Sequence, residues 1–380
     1  MTRIDSAPGR GVLMIANCAG MVDLVALPVW VGALMKWYGL DPQQAGLLAT
    51  LFLGNAVVSS LIFAPWFNRL PARVAAAAGY GLAGGAFAVL ATTASYPGMA
   101  VLHAVAGAAT GCGLSFTHGT IGRSVNPHRL FALAGLALGI FAIAFMAGVP
   151  ALIVAHGGPV LFRVLAGVML TAALASAAAF PVHSPNRASH HQPGRIGTGV
   201  RIGMLGVASL ALVQAMTFSF VEPIGLSRGF GPQAIAGVLI AVGIVNLFPP
   251  PLAALLERRL APQRVLVFGP VIQAALSFTI THVTAFSPYA CSVAVFVGVT
   301  VFTYTYAFGV IARVDPTGRA TAATPAMMMA GAALGPILGG TLVKFAGYGS
   351  IGLAALLLAA FSLSCFVRLT SRPEPLETLA

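Results

Sequence analysis

Two acids, Asp23 and Glu222, stand inside long apolar runs of this chain, where a carboxylate is costly and has chemistry to offer. Asp23 lies about twelve residues into the first run, ~18 Å along a helix at 1.5 Å per residue. A charge at that depth in hydrocarbon costs ~2.5–3.5 kcal/mol on insertion scales. No Lys or Arg in the surrounding run is available to neutralise it, so the expectation is a group that carries a proton in place of a salt bridge. At helical spacing its face reads Ala16, Ala19, Gly20, Asp23, Ala26, Leu27, Trp30. Small residues beside a carboxylate and an indole suggest a cavity wall, or a close-packed neighbour. Glu222, beside Pro223 near the end of its run, is either a second proton site or a side chain reaching for the interface.

Three polar stripes recur at helical spacing. They are His103, Thr110, Thr117 and His118; Gln214, Thr217 and Phe218; and Thr300, Thr303 and Tyr304. Each hydroxyl has a competing role, since a threonine in a helix bonds its own backbone. Met14, Cys18 and Met21 share another face of the first run, where soft ligands can pass a copper ion. Packing is the simpler role, and no metal site is expected. The four cysteines stand in apolar runs without CxxC spacing and read as buried thiols. No GxxxxGK[ST] loop is present to bind a nucleotide, and no cofactor is expected.

The elements that position these residues follow from composition. Hydrophobic residues make up 58% of the 380 and charged ones 7%, against the roughly 25% charged of soluble domains. That is too little polar side chain to cover a soluble surface, so the lipid bilayer is the expected solvent. The net charge of +12 does not imply nucleic acid, because the basic residues are scattered between apolar runs. Reading runs of about 20 residues gives twelve spans. Among them are roughly 11–35, 200–224, 232–255 and 320–344.

The polar stretch around 182–200 divides the twelve six and six, and the second half echoes the first. Arg69-Leu70 returns 190 positions later as Arg259-Leu260, Arg123 as Arg313, and Arg129 as Arg319. The expected organisation is therefore a bundle over 1–181, a linker over 182–200 and a second bundle over 201–380. Sixteen of the twenty Lys and Arg fall on one side of these spans, leaving Lys36, Arg163, Arg228 and Lys344 on the other. Both termini and the linker are thus expected to be cytoplasmic, in an inner (plasma) membrane. The opposite connections are short, so no large partner is expected, and the chain is expected to act as a monomer.

The connection Ala64–Val74 resembles the loop that joins helices 2 and 3 in the major facilitator superfamily. That motif is a glycine, three variable residues, Asp-Arg, one variable residue, a glycine and two basic residues. Arg69 and Arg73 match it, whereas Ala64, Asn68, Pro71 and Ala72 depart. The second copy, Glu257-Arg258-Arg259-Leu260 with Arg264, supplies an acid. The stretch Gly331–Gly340 has the spacing of a Gly-x3-Gly-Pro-x2-Gly-Gly element that exporters of the superfamily carry in helix 5, yet it falls in helix 11 and reads first as packing.

The resemblance implies an all-α membrane fold of two pseudo-symmetric six-helix bundles, with helices 1, 4, 7 and 10 around a central cavity. It implies that Trp30, His103, Thr110, His118, Gln214, Thr217, Thr300, Thr303 and Tyr304 line that cavity. Arg69, Arg73, Arg129, Arg259 and Arg319 would form the cytoplasmic gate. The expected activity is secondary transport of a small solute by alternating access, coupled to protons through Asp23 and Glu222. The absence of a deep Arg or Lys tilts the solute toward neutral, amphipathic or cationic molecules, and the direction toward efflux. Proton-coupled import of a metabolite is the alternative. Copper transport, a membrane sensor or an enzyme fit less well, because His103 and His118 are too far apart in sequence to suggest a catalytic pair and no output domain follows.

Overall fold

Helix is the one answer open to apolar runs of this length, because lipid gives the backbone no other hydrogen-bond partner. The computed structural model describes residues 4, 6–63, 66, 69–181, 197–256, 259–314 and 319–370, except the side chains of 127, 128, 254, 312, 319–326 and 370. Every regular element among them is helical. The first half holds α1 (Ala7–Gly20), α2 (Val22–Trp37), α3 (Pro42–Phe63), α4 (Ala72–Leu90), α5 (Tyr96–Ile121), α6 (Pro127–His156) and α7 (Pro159–Ala179). The second holds α8 (Thr198–Phe218), α9 (Val221–Ser227), α10 (Pro232–Val245), α11 (Pro249–Leu256), α12 (Pro262–His282), α13 (Phe286–Val314), α14 (Arg319–Ala346) and α15 (Gly349–Thr370).

Among the described residues eleven helical stretches are long and apolar enough to cross a bilayer, with α1–α2 and α8–α9 each acting as one. The eighth expected span, 232–255, is not a single helix but the pair α10 and α11. The cause is Pro249-Pro250-Pro251, three residues with no N–H to continue the ladder. The first and seventh spans are also broken. At the seventh, Pro223 removes a donor and the Ser219 hydroxyl bonds back to the Ala215 carbonyl at 2.5 Å, which bends the helix. At the first, Met21 leaves helical geometry and Asp23 falls in the opening turn of α2.

The glycine-rich element of α14 packs on both halves. A Cβ on Gly331, Gly335 or Gly339 would run into Ala208, Ala215 or Met216 of α8, so this stripe lets two helices of one half approach closely. Gly340 abuts the Pro42 carbonyl and Pro336 abuts Gly46, both on α3 of the other half. Thr50 accepts from the Ile337 amide at 3.1 Å, and Lys344 pairs with Asp41 at 3.0 Å. The main contacts between the halves are α3 with α14, α6 with α10, and α2 with α9. The α3–α14 contacts run to the Asp41–Lys344 pair, and those of α2 with α9 bring Gly32 against Glu222.

Candidate functional site: a cavity between the halves

A cavity of about 150 Å³ lies between α2 and α6 of the first half and α8, α10 and α13 of the second. Leu24, Val25, Gly139, Met146, Phe218 and Val301 give it apolar walls, and its polar groups are the amides of Gln214 and Asn246. Among the described residues no charged side chain lines it. A second, narrower cavity of about 30 Å³ lies toward the Asp41–Lys344 end. It is bounded by Gly32, Lys36 and Trp37 from α2, Pro150 from α6, and Glu222 and Ile235 opposite.

Of the residues expected around the substrate cavity, Gln214 lines it. The others are turned into the interior of their own half, where they hold helices together. Trp30 donates from Nε1 to His103 Nε2 at 3.2 Å, and His103 Nδ1 meets the Met99 carbonyl at 2.7 Å. Both ring nitrogens of His103 are therefore used, and the pair sits among Phe52, Phe87 and Phe162. Thr110 points to the Met169 sulfur. His118 Nε2 donates to Asn17 Oδ1 at 2.9 Å, and Asn17 in turn donates to the Ala134 carbonyl at 3.4 Å, joining α5, α1 and α6.

In the second half Thr217 bonds Ser277 at 2.8 Å. Thr300 accepts from Gln273 at 2.8 Å, and Thr303 bonds the Val299 carbonyl one turn back. Tyr304 is buried against Phe308, with a hydroxyl that meets no partner among the described residues. The helical period marks these positions as inward-facing. It does not distinguish a face turned to a neighbour in the same half from one turned to the space between halves.

Asp23 opens α2, and the amides of Asp23 and Leu24 face its carboxylate. Both lie at a helix start, where the Leu24 amide also donates to the Met21 carbonyl at 3.2 Å, and a carboxylate there meets the positive end of the helix dipole. Among the described residues no cation stands within ion-pair distance of it. The next two residues, Leu24 and Val25, form part of the larger cavity's wall. Glu222 does not reach for an interface. Its Oε2 is buried without a hydrogen-bond partner among the described residues, and its carboxylate fills the notch left by Gly32, where a Cβ would lie 2.9 Å from Cδ.

Among the described residues the expected gate residues do not meet one another. Arg73 donates to the carbonyls of Ala177 and Ala178 at the end of α7, a tie within one half. Arg69 lies over the Trp66 ring at 5.6 Å. Arg129 is exposed, and its amide is capped by Asn126 at 3.0 Å. Arg259 is exposed at the turn after α11. The side chain of Arg319 lies outside the described residues, as do Ala64, Asn68, Glu257, Arg258, Asp315, Pro316 and the linker stretch 182–196.

At the opposite end, Asp41 accepts from the Gln44 amide at 2.9 Å while Gln44 accepts from the Asp41 amide at 3.2 Å, a reciprocal cap that starts α3. Burial alone would raise the Asp41 carboxyl, but the amide bonds and Lys344 outweigh it and hold it below the usual carboxylate range. Asn246, Asn17 and the Asp41–Lys344 pair are absent from the sequence reading. Asn246 carried a usable signal, as a polar residue at the foot of a proline run.

The chain resembles the crystal structure of a mutant of the nucleoside transporter NupG, with a TM-score of 0.74 at 15% identity over 95% of this chain and 98% of that one. At that identity the likeness speaks for the fold. Among curated protein sequences none matches. The family profile of the Major Facilitator Superfamily matches residues 12–323. With the two-bundle helical fold around a cavity between its halves, this chain is a member of the Major Facilitator Superfamily, a multi-pass membrane transporter and not an enzyme.

Proposed function

We propose that this protein is a proton-coupled secondary transporter that moves a small neutral, amphipathic or cationic solute by alternating access, in the direction of efflux. The observation that carries the reading is the position of Asp23. It opens the second segment of a broken helix, one residue from the wall of the cavity, with no cation among the described residues to fix its charge. Such a carboxylate can exchange its proton with whichever side the cavity faces. Glu222, on the second half, is a further proton site, loaded when the halves part at the Asp41–Lys344 end. The apolar walls and two amides suit an amphipathic solute without a negative charge.

The halves are 1–181 and 201–380, with the linker and both termini cytoplasmic and the chain monomeric in the inner membrane. The main contacts between halves then lie on the outer side, and the conformation is the inward-facing one. In the outward-facing state Arg69, Arg73, Arg129, Arg259 and Arg319 hold the cytoplasmic ends together. Uptake of a small polar metabolite is a second reading, favoured by the Gln214 and Asn246 side chains at the cavity and by the likeness to a nucleoside transporter. Proteoliposomes loaded with a solute panel and given pH gradients of either sign separate the two. Outward movement against a gradient, driven by inward proton flow, supports efflux. Accumulation driven by the same flow supports uptake, and solute movement indifferent to pH rejects proton coupling.

A further inference from the structure

The break in the eighth span leaves acceptors without donors at the cavity wall. Asn246 ends α10, followed by Leu247 and Phe248, and α11 begins at Pro249. In a continuous helix the carbonyl of Asn246 would accept from residue 250 and that of Leu247 from residue 251. Both are prolines, and so is residue 249, which excludes the tighter turn for Asn246 as well. The Phe248 amide turns back to the Val245 carbonyl at 3.1 Å, and the Leu252 amide goes to Phe248 at 3.0 Å. Neither serves Asn246 or Leu247. The Asn246 side-chain oxygen is also buried without a partner among the described residues.

By this spacing the carbonyls of Asn246 and Leu247, like the Asn246 side-chain oxygen, have no donor among the described residues, and both residues line the cavity. The amide of Gln214 is another group on the same cavity wall, and it makes no side-chain bond of its own among the described residues. Leaving buried acceptors unmet costs free energy in proportion to their isolation from water. Irregular backbone at membrane depth is tolerated where it lines a cavity that supplies the missing partner.

The chemistry that satisfies such a set is several N–H donors on one positive centre. A hydroxyl offers one donor, and an anion would be repelled by the oxygens. We propose that the break of the eighth span binds the protonated amine head of the transported solute. The Asn246 side-chain oxygen and the carbonyls of Asn246 and Leu247 accept its N–H groups, Gln214 adds a further acceptor, and the apolar remainder lies against Phe218, Val297 and Val301. This rests on the cavity being the solute site, and it narrows the solute to amphipathic amines.

Binding to the purified full-length protein in detergent tests it, with three probes of similar shape. Phenethylammonium carries charge and N–H groups; its N,N,N-trimethyl analogue carries charge alone; n-propylbenzene carries neither. Phenethylammonium is expected to bind at least tenfold more tightly than the other two. Asn246→Leu is expected to weaken it about tenfold. Pro250→Ala and Pro251→Ala each return an N–H to one of the free carbonyls. They are expected to weaken phenethylammonium binding severalfold while leaving or raising the melting temperature without probe, which distinguishes lost acceptors from lost folding. Equal binding of the three probes, unchanged affinity in Asn246→Leu, or a response to sodium in place of the amine overturns the site. If pH-driven transport of uncharged solutes persists without amine binding, the amine site falls and the transporter reading stands. If the amine binds through Asn246 but nothing moves with the pH gradient, the site stands and proton coupling falls.

Discussion

The first and seventh spans use the same device with different surroundings. The first span breaks near its middle and the seventh nearer its Ser227 end, and each carries its acid in the opening turn of the second segment, Asp23 in α2 and Glu222 in α9. Asp23 is held within its own half, beside helix-start amides and next to the larger cavity. Glu222 is pressed into Gly32 of the opposite half, at a small cavity that Lys36 also bounds. Asp23 thus has an environment that travels with its bundle, whereas that of Glu222 exists only while the halves touch at this end. On the proposed function, one acid would follow the solute and the other would sense closure.

The largest effect expected from this contrast is at Gly32. Gly32→Val puts branched carbon where the Glu222 carboxylate lies, opposing closure, so transport is expected to fall to background. Adding Glu222→Ala should restore much of it by vacating the notch. Labelling of Ala33→Cys, buried here, by an impermeant thiol reagent in a background without native cysteines reads closure directly. A Gly32→Val protein that stays fully protected there breaks the comparison.

Glu222→Gln comes next, and it keeps shape but cannot titrate. A severalfold loss of pH-driven transport is expected, with Ala33→Cys protection losing its dependence on pH. Unchanged pH dependence in both measurements would make Glu222 a packing residue.

The smallest effect belongs to Lys344→Ala, because the Asp41–Lys344 pair is more than a third exposed and such pairs contribute ~0.2–1 kcal/mol. A two- to fourfold gain in Ala33→Cys labelling is the expected reading. Because the folded Asp41 carboxyl is held low, the stability it adds is complete above its ordinary range near ~4 and is lost as pH falls through the lower folded value. The pair should therefore not respond between pH 5.5 and 7.5. A pH response of the latch in that window, absent in Lys344→Ala, contradicts this assignment.

Much of the architecture was legible in the sequence, since run length and composition leave lipid-embedded helices as the one solution. Asp23 and Glu222 stood out in it too, because a carboxylate in an apolar run needs a reason, and each opens a helix segment after a break. The cavity residues were mostly not. Period 3.6 identifies the inner face of a helix, but His103, Thr217 and Thr300 spend that face on neighbours within their half. Asn246 lies outside any polar stripe. Its exposure to the cavity comes from prolines downstream, a backbone effect that side-chain periodicity does not carry. The Asp41–Lys344 pair joins residues 303 positions apart and needs the packed halves to exist.

The proposed coupling of solute movement to protons through Asp23 is read by a pair of flux measurements on one variant. In proteoliposomes, Asp23→Asn should bind solute and exchange it across the membrane at rates within a fewfold of wild type. It should fail to move solute against a gradient when a pH difference is imposed, a loss of at least tenfold. Gradient-driven transport in Asp23→Asn with the pH dependence of the wild type would contradict the account and leave Asp23 a structural acid.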